Sequence, residues 1–469
     1  MTIMKNPVEM LMQWAKEKPN QGWLFQPTNG VWKTITWSEA EAQIRCMATA
    51  LRAMGFPKGS AIAISGRNTA HWVMADLAIS MAGYVSVGLY PKQADSAVKY
   101  IFSHCEAKAV FIGPMPDPQD FDKALPAGIK KIGFPYPDVT IPCHAQWDDL
   151  VKNNEPFSGY VAPDAKELVT LVYTSGTTGN PKGVMMTGEN LTFTASGMLK
   201  VMPAKGVEKY FSYLPLAHAF ERGAVEIASL YLCGEIHFLE NLDKLGEQLR
   251  QVAPTRFNGV PLVYGRIQTQ VLKSMPQEKL DRLLKLPVIS SFIKRKIKQK
   301  MGLHNARYMF VGAAAMPIPL LKWFEKLDLN ILQGYGMTEN CIYATASLPG
   351  ANRIGAVGRA MPDAGMKLSE EGEILFKHPG VMAGYYKEPE KTQETFTADG
   401  YLRTGDKGRI DEDGYLFITG RVKDIFKTLK GKYVAPAPIE GALSRNTDID
   451  QLCFVGSGLK QPIMLVSLT

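Results

Sequence analysis

The residues best equipped for chemistry lie in one string, Thr174-Ser-Gly-Thr-Thr-Gly-Asn-Pro-Lys-Gly183. It holds four hydroxyls, three glycines and one lysine. Glycine lets backbone N–H groups turn toward an anion, hydroxyls donate to phosphate oxygens, and a lysine adds positive charge. Thr174, Ser175, Gly176, Thr177, Thr178, Gly179 and Lys182 therefore form a loop suited to a pyrophosphate group. Two commoner phosphate motifs are excluded. Counted from Gly176, the sixth residue is Pro181, where GxxxxGK[ST] needs glycine, and the string contains no GxGxxG. The bland alternative is a Gly/Ser/Thr surface loop without a ligand.

Such a loop needs a rigid support, and the apolar pattern supplies one. Residues 168–173 (LVTLVY) form a continuous apolar run, as a strand buried on both faces should. Upstream, the pattern predicts a helix over 38–54 with Ser38 as N-cap and Gly55 as stop. A strand over 60–65, a helix over 71–82, a strand over 84–89, a helix over 97–105 and a strand over 110–112 follow. This alternation implies an α/β fold with parallel sheets. Beyond residue 360, short apolar runs such as 373–376 and 415–419, separated by Gly, Pro and Asp, imply antiparallel structure forming a small β-barrel. Gly420-Arg-Val-Lys-Asp424 reads as a polar break that could link two domains.

Composition narrows the class. The chain has 469 residues, 46% hydrophobic and 21% charged, an ordinary globular mixture. A net charge of +8 over this length is too diffuse to argue for nucleic acid. The six cysteines form no CxxC pair and the histidines no HExxH, which argues against a disulfide scaffold, a zinc ribbon or a zinc protease of that type. The longest charge-free apolar stretch, residues 77–91, has 15 residues, short of the about 20 that a spanning helix needs. It reads as a buried helix end entering a core strand. The expectation is a cytoplasmic protein, any membrane contact being peripheral. The one concentrated basic run, residues 285–300 (KLPVISSFIKRKIKQK), has two readings: a membrane-surface helix, or a solvated helix packing Ile289, Phe292, Ile293 and Ile297 on the core. The second is favoured, because such stripes are commoner in cores.

Further motifs give the loop a context. YTSGTTGNPKG at 173–183 resembles the phosphate-loop signature of the adenylate-forming (AMP-binding) superfamily. Leu214-Pro-Leu-Ala-His-Ala-Phe220 resembles its histidine motif, and Gln333-Gly-Tyr-Gly-Met-Thr-Glu339 its adenine and magnesium motif. Tyr401-Leu-Arg-Thr-Gly-Asp406 resembles its ribose motif and Gly420-Arg-Val-Lys-Asp-Ile-Phe-Lys427 its hinge. Within the superfamily the chain is most similar to long-chain fatty acyl-CoA synthetases. That likeness rests on Val260-Pro-Leu-Val-Tyr-Gly-Arg-Ile267, on Gly380-Val-Met-Ala-Gly-Tyr-Tyr-Lys387, and on residues 430–436 with Ile439 and Glu440, where Lys432 replaces the usual Glu.

The resemblance implies a two-step ligation: a carboxylate attacks the α-phosphate of ATP to give acyl-AMP and pyrophosphate, then coenzyme A displaces AMP. It implies Glu339 as the Mg²⁺ ligand, Thr338 as a donor to the α-phosphate, and Gly334, Tyr335, Gly336 and Met337 around adenine. Gly312, Ala313 and Ala314 would form a backbone wall beside adenine and the acyl carbonyl. Asp406 would accept from the ribose hydroxyls, Arg421 would contact ribose or α-phosphate, and His218 would border the acyl carboxylate, although a packed, inert histidine is the alternative. Lys182, His218, Thr338, Glu339 and Arg421 would be the catalytic set, with Lys423 the hinge. Lys427 resembles a lysine that enters the site in the second step.

The implied organisation is an AMP-binding domain over 1–420, a hinge at 421–424 and an incomplete small α+β domain over 425–469. The chain stops inside what reads as an early strand of that small domain, and nothing matches the superfamily's terminal lysine, so a truncated domain is expected. The partners implied are fatty acid, ATP and coenzyme A, with no nucleic acid. The oligomeric state stays open, a dimer included. Two other functions remain open: a fatty acyl-AMP ligase serving a carrier protein, and a catalytically impaired nucleotide- or acyl-binding protein.

Overall fold

A computed structural model describes residues 5–174, 179–422, 424, 426–427, 433–434, 436–443, 449–456, 459 and 461–468. The chain divides into two compact units. The first comprises Met1–Arg256, Thr338–Ile342 and Pro379–Thr392, the second Phe257–Met337, Tyr343–His378 and Gln393–Thr469.

The first unit carries an eight-stranded sheet among its described residues. Its order is Gly384–Tyr385, Lys182–Thr187, Leu168–Thr174, Val85–Leu89, Ala61–Ser65, Ala109–Ile112, Lys130–Gly133 and Ala145–Gln146. Pairing is parallel from Leu168–Thr174 onward. Lys182–Thr187 and Gly384–Tyr385 run antiparallel at the other edge. The α/β expectation holds. The apolar stretch at 77–91 is the end of helix Ala70–Met81, buried everywhere except Ser80, followed by the fully buried strand Val85–Leu89. One prediction needs correction. Helix Trp37–Ala53 is capped by Thr36, not Ser38, because the Thr36 side chain accepts from the Glu39 N–H while Glu39 reaches back to the Thr36 N–H.

A second sheet of this unit sets Lys209–Ser212, Glu235–Phe238 and Gly22–Thr28 parallel, with Val31–Thr36 antiparallel outside them. Trp23, Trp37, Trp72, Phe111, Trp147 and Phe238 share one apolar cluster, and the Trp23 and Trp37 rings stack at 4.3 Å. Inside this unit sits a buried guanidinium. Arg222, on the π-helical turn Arg222–Ile227, donates through Nη2 to Asp76 and to Ser86 Oγ (2.8 Å), and through Nη1 to Thr170 Oγ1 (2.6 Å). Burial pushes the carboxyl of the neighbouring Glu226, 3.9 Å from Arg222 Nε, well above its usual value, and Asp76 makes the closer ion pair with Arg222.

The second unit pairs Tyr308–Val311 parallel to Ile331–Tyr335, then adds Thr345–Ala346 and Arg359–Ala360 antiparallel. After residue 360 comes the barrel-like element, a four-stranded antiparallel sheet of Gly365–Leu368, Glu373–Lys377, Leu402–Ile410 and Leu416–Arg421. Its small core contains Ile374, Phe376 and Leu416. The polar break at 420–424 begins inside this sheet: Gly420 and Arg421 pair with Lys407 and Asp406. Further on, helix Pro436–Leu443 precedes an antiparallel pair, Ile449–Val455 with Ile463–Leu468.

The basic run forms helix Pro287–Met301, but the expected apolar stripe does not pack as one face. Ile297 and Met301 are buried, while Ile289 and Phe292 are exposed. At roughly 100° per residue, Phe292 lies about 140° around the helix from Ile297, so the core cannot take both.

The Arg222 site yields a stability test. Arg222→Met should cost about 3–5 kcal/mol in urea unfolding, because Asp76 is left buried and unbalanced. The double variant Arg222→Met/Asp76→Leu should recover part of that loss. Equal losses in the two variants would mean that packing, not charge, makes Arg222 necessary.

Candidate active site

In the first unit, the two ends of the Thr174–Gly183 string lie on paired antiparallel strands. Thr174 ends strand Leu168–Thr174, Lys182 begins strand Lys182–Thr187, and the two residues pair across the ladder. The loop ends are thereby held in register, and Gly179 is exposed. Ser175, Gly176, Thr177, Thr178 and Lys423 lie outside the described residues.

Next to this strand pair runs Gly384–Tyr385, with Tyr385 opposite Val184. Tyr385 is the junction of the group. Lys182 Nζ sits 4.8 Å from the centre of its ring, within cation–π range. Its hydroxyl donates to Glu339 Oε1 at 2.8 Å. Its backbone N–H donates to Thr392 Oγ1 at 2.9 Å. Gly384 must be glycine here: its φ is +139°, and an added Cβ would lie 2.7 Å from Thr392 Cγ2.

Glu339 lies on the short 3₁₀ turn Thr338–Asn340, whose three residues are buried. The turn is fixed through its backbone, the Met382 N–H donating to the Glu339 carbonyl at 2.8 Å. Among the described residues, no protein group donates to Glu339 Oε2. His218 caps the turn that follows it, its Nδ1 accepting from the Phe220 N–H at 3.0 Å. That bond fixes the neutral ring with its proton on Nε2, and burial holds its pKa below the usual value. The histidine is thus a neutral cap and not an ion-pair partner.

In the second unit the junction is Asp406. Tyr335 Oη donates to Asp406 Oδ2 at 2.6 Å, and Arg421 Nε approaches Oδ1 at 3.2 Å. One lone-pair site remains on each carboxylate oxygen, enough for two further donors. Burial pushes the Asp406 carboxyl up, while the Tyr335 hydrogen bond and Arg421 pull it down. Burial and the Asp406 charge together hold the Tyr335 phenol well above its usual value. The turn carrying Asp406 is fastened by Glu373, which accepts from the Gly405 N–H and from Arg403 Nη1, both at 3.0 Å. Thr404 Oγ1 donates to the Ile374 carbonyl at 2.8 Å and accepts from the Asp406 N–H at 3.1 Å.

In the same unit, Gly334, Gly336 and Met337 are half-buried beside Tyr335. Gly312 is buried, Ala313 and Ala314 are exposed, and Ala313 has φ +64°. That left-handed residue turns the chain sharply after strand Tyr308–Val311.

Sequence reasoning left out Tyr385 and Glu373. The segment Gly380-Val-Met-Ala-Gly-Tyr-Tyr-Lys387 was the available signal for Tyr385: two tyrosines after a glycine, in a motif. Nothing local marks Glu373, which precedes an apolar run as an ordinary strand-entry glutamate.

A family model described as AMP-binding enzyme matches residues 11–386. The chain belongs to the AMP-binding enzyme family. The curated relatives that it matches carry the names of ligases and synthetases. Similar curated proteins include a long-chain-fatty-acid–CoA ligase of Xenopus laevis, 28% identical over 93% of this chain and 66% of its own length. One of Mycobacterium bovis is 28% identical over 96% of this chain and 80% of its own length. A peroxisomal long-chain acyl-CoA synthetase of Arabidopsis thaliana is 30% identical over 91% and 67%. The chain thus spans two thirds to four fifths of the length of these relatives.

Solved structures establish the AMP-binding fold. An anthranilate CoA ligase in complex with anthranoyl-AMP aligns with TM-score 0.83 at 21% identity, covering 100% of this chain and 88% of that one. The Bacillus subtilis o-succinylbenzoate CoA synthetase, in complex with ATP and a magnesium ion, aligns with TM-score 0.76 at 22% identity, covering 98% and 89%.

Magnesium is typical of AMP-binding enzymes, and Glu339 fits it. The residue is a hard oxygen donor with one oxygen held by Tyr385 and the other open. Among the described residues, no group of three or more His, Cys, Asp and Glu could hold a metal. An ion at Glu339 would therefore share its shell with phosphate oxygens and water, as Mg²⁺ commonly does.

The Asp406 geometry gives a pH test. A hydrogen bond donated to a carboxylate favours its charged form, so Tyr335→Phe should raise the Asp406 pKa further, moving its titration to higher pH. Carboxyl-carbon NMR of wild type and variant reads this directly. An unchanged titration would show that the Tyr335 hydroxyl does not act on Asp406.

Proposed function

We propose that this protein activates a fatty acid, most fittingly a long-chain one, with ATP to acyl-AMP and pyrophosphate, then transfers the acyl group to coenzyme A. The observation that carries the reading is the tethered Glu339. One of its carboxylate oxygens is fixed by Tyr385 and the other is open, on the element that follows the Tyr335 strand. Family membership over residues 11–386 supports the nucleotide chemistry. The names of relatives at 28–30% identity support the fatty acid and the thiol acceptor.

In this reading Glu339 holds Mg²⁺, which supplies charge neutralisation on the phosphates when bound. The loop from Thr174 to Lys182 wraps pyrophosphate with hydroxyl and N–H donors, and Lys182 offers a point charge. Thr338 donates to the α-phosphate. Asp406 accepts from ribose, while Arg421, with its terminal nitrogens uncommitted among the described residues, reaches ribose or α-phosphate. Gly312, Ala313 and Ala314 give a wall of small residues, and Tyr335 with Gly334, Gly336 and Met337 borders adenine. His218, neutral and half-buried, borders the acyl carboxylate, where a charged imidazolium would otherwise pair with it. The hinge at 421–424 and the small domain over 425–469 belong to the same proposal. Rate enhancement comes mainly from positioning and charge neutralisation, since ATP brings its own leaving group.

The acyl chain would lie along helix Pro261–Ser274, which is latched to strand Tyr308–Val311 by Tyr264 Oη donating to the Phe310 carbonyl at 2.8 Å.

The test is ATP–pyrophosphate exchange with acetate, octanoate, palmitate and benzoate, followed by AMP release on adding coenzyme A. Exchange should peak with palmitate, and AMP release should require coenzyme A. Glu339→Gln should lower exchange at least about tenfold by weakening the metal site. Exchange peaking with benzoate, or absent with every acid, would overturn the substrate class. AMP release indifferent to coenzyme A would overturn the acceptor.

A further inference from the structure

Helix Pro287–Met301 presents an unusual outer face. Its inner face is the packed one, with Ile297 and Met301 buried. On the opposite side, Val288 is 87% and Phe292 57% exposed; Leu286, at the N-cap, and Ile289, on the flank, are also exposed. Single exposed apolar residues are ordinary, but four within seven positions make a patch.

The same face continues into positive charge. At roughly 100° per residue, Val288, Phe292, Arg295 and Lys296 fall within an arc of about 100°. Lys296 Nζ lies 4.7 Å from the centre of the Phe292 ring, so its aliphatic stem runs beside the aromatic side chain with the ammonium at the rim. Residues 285–300 contain six Lys and Arg and no Asp or Glu.

The nearby acids are already engaged. Asp328 pairs with Lys294 at 2.8 Å, Asp281 with Lys326 at 3.0 Å, and Glu278 with Arg282 at 3.6 Å. Among the described residues no ion pair holds Arg295 or Lys296, and Lys285 has only the already paired Asp281 near it, so the three form a basic rim around an apolar tip.

We propose that this face docks on an anionic lipid surface, with Leu286, Val288, Ile289 and Phe292 entering the headgroup–acyl boundary and Lys285, Arg295 and Lys296 meeting lipid phosphates. Charge decides between occupants. A second copy of the chain meeting this patch through a two-fold axis would bring the same cations against themselves, whereas an anionic bilayer complements both halves. The patch lies on the outer face of one helix, the arrangement by which interfacial helices seat in a membrane surface.

The experiment is co-sedimentation of the full chain with phosphatidylcholine vesicles, with and without about 30% phosphatidylglycerol, at low and high salt. Binding should need phosphatidylglycerol and fall with salt. Arg295→Glu/Lys296→Glu should weaken it at least about tenfold, since each basic residue near an anionic surface contributes roughly fivefold. Val288→Glu/Phe292→Ser should abolish it. The altered side chains are exposed, so thermal unfolding should match wild type and separate lost docking from lost folding. Equal binding to neutral vesicles, no binding to either kind, or undiminished binding by the variants would overturn the proposal. So would a dimer in light scattering that Val288→Glu/Phe292→Ser splits, which would make the patch a self-interface.

Discussion

The pairing of strand Leu168–Thr174 with strand Lys182–Thr187 is the constraint on which the first unit's chemistry rests. It fixes the two ends of the hydroxyl- and glycine-rich loop opposite each other. It also offers an outer edge on which Gly384–Tyr385 pairs, and Tyr385 in turn holds Glu339. The strand pair is anchored from below, because Thr170 accepts from the buried Arg222 guanidinium, itself paired with Asp76 on helix Ala70–Met81. Breaking the ladder would release loop, lysine and carboxylate together.

The second unit uses the same logic with different parts. Asp406 is a half-buried carboxylate held by a phenol on one oxygen and a guanidinium on the other, at a turn stapled by Glu373. In both units a tyrosine hydroxyl fixes an acid and leaves it lone pairs for an outside partner. Holding a carboxylate before its partner arrives lowers the ordering cost of binding, which is how a loop-borne site becomes geometrically definite.

What the sequence revealed follows from where each feature's information is stored. The position of the Gly/Ser/Thr-rich string after strand Leu168–Thr174 was legible, because an unbroken apolar run followed by glycines marks a strand end locally. The parallel sheet was legible because strands such as Val85–Leu89 are buried on both faces and read as unbroken apolar runs. Tyr385 was not legible as a support for Glu339, because they are 46 positions apart and meet only once an edge strand has paired. Glu373 was hidden for the same reason. The Thr36 cap was missed where two hydroxyl residues compete within three positions, and backbone geometry decides. In helix Pro287–Met301 the periodicity located the helix but not which of its two apolar faces the core accepts.

The central claim is that Glu339, tethered by Tyr385, is the metal-binding acid for a nucleotide. The most direct measurement is calorimetric titration of ATP with and without Mg²⁺, comparing wild type, Glu339→Gln and Asp406→Asn. The account predicts that Mg²⁺ tightens ATP binding in wild type and in Asp406→Asn, which binds more weakly at either metal level, but that Glu339→Gln loses the enhancement. An enhancement preserved in Glu339→Gln would contradict it.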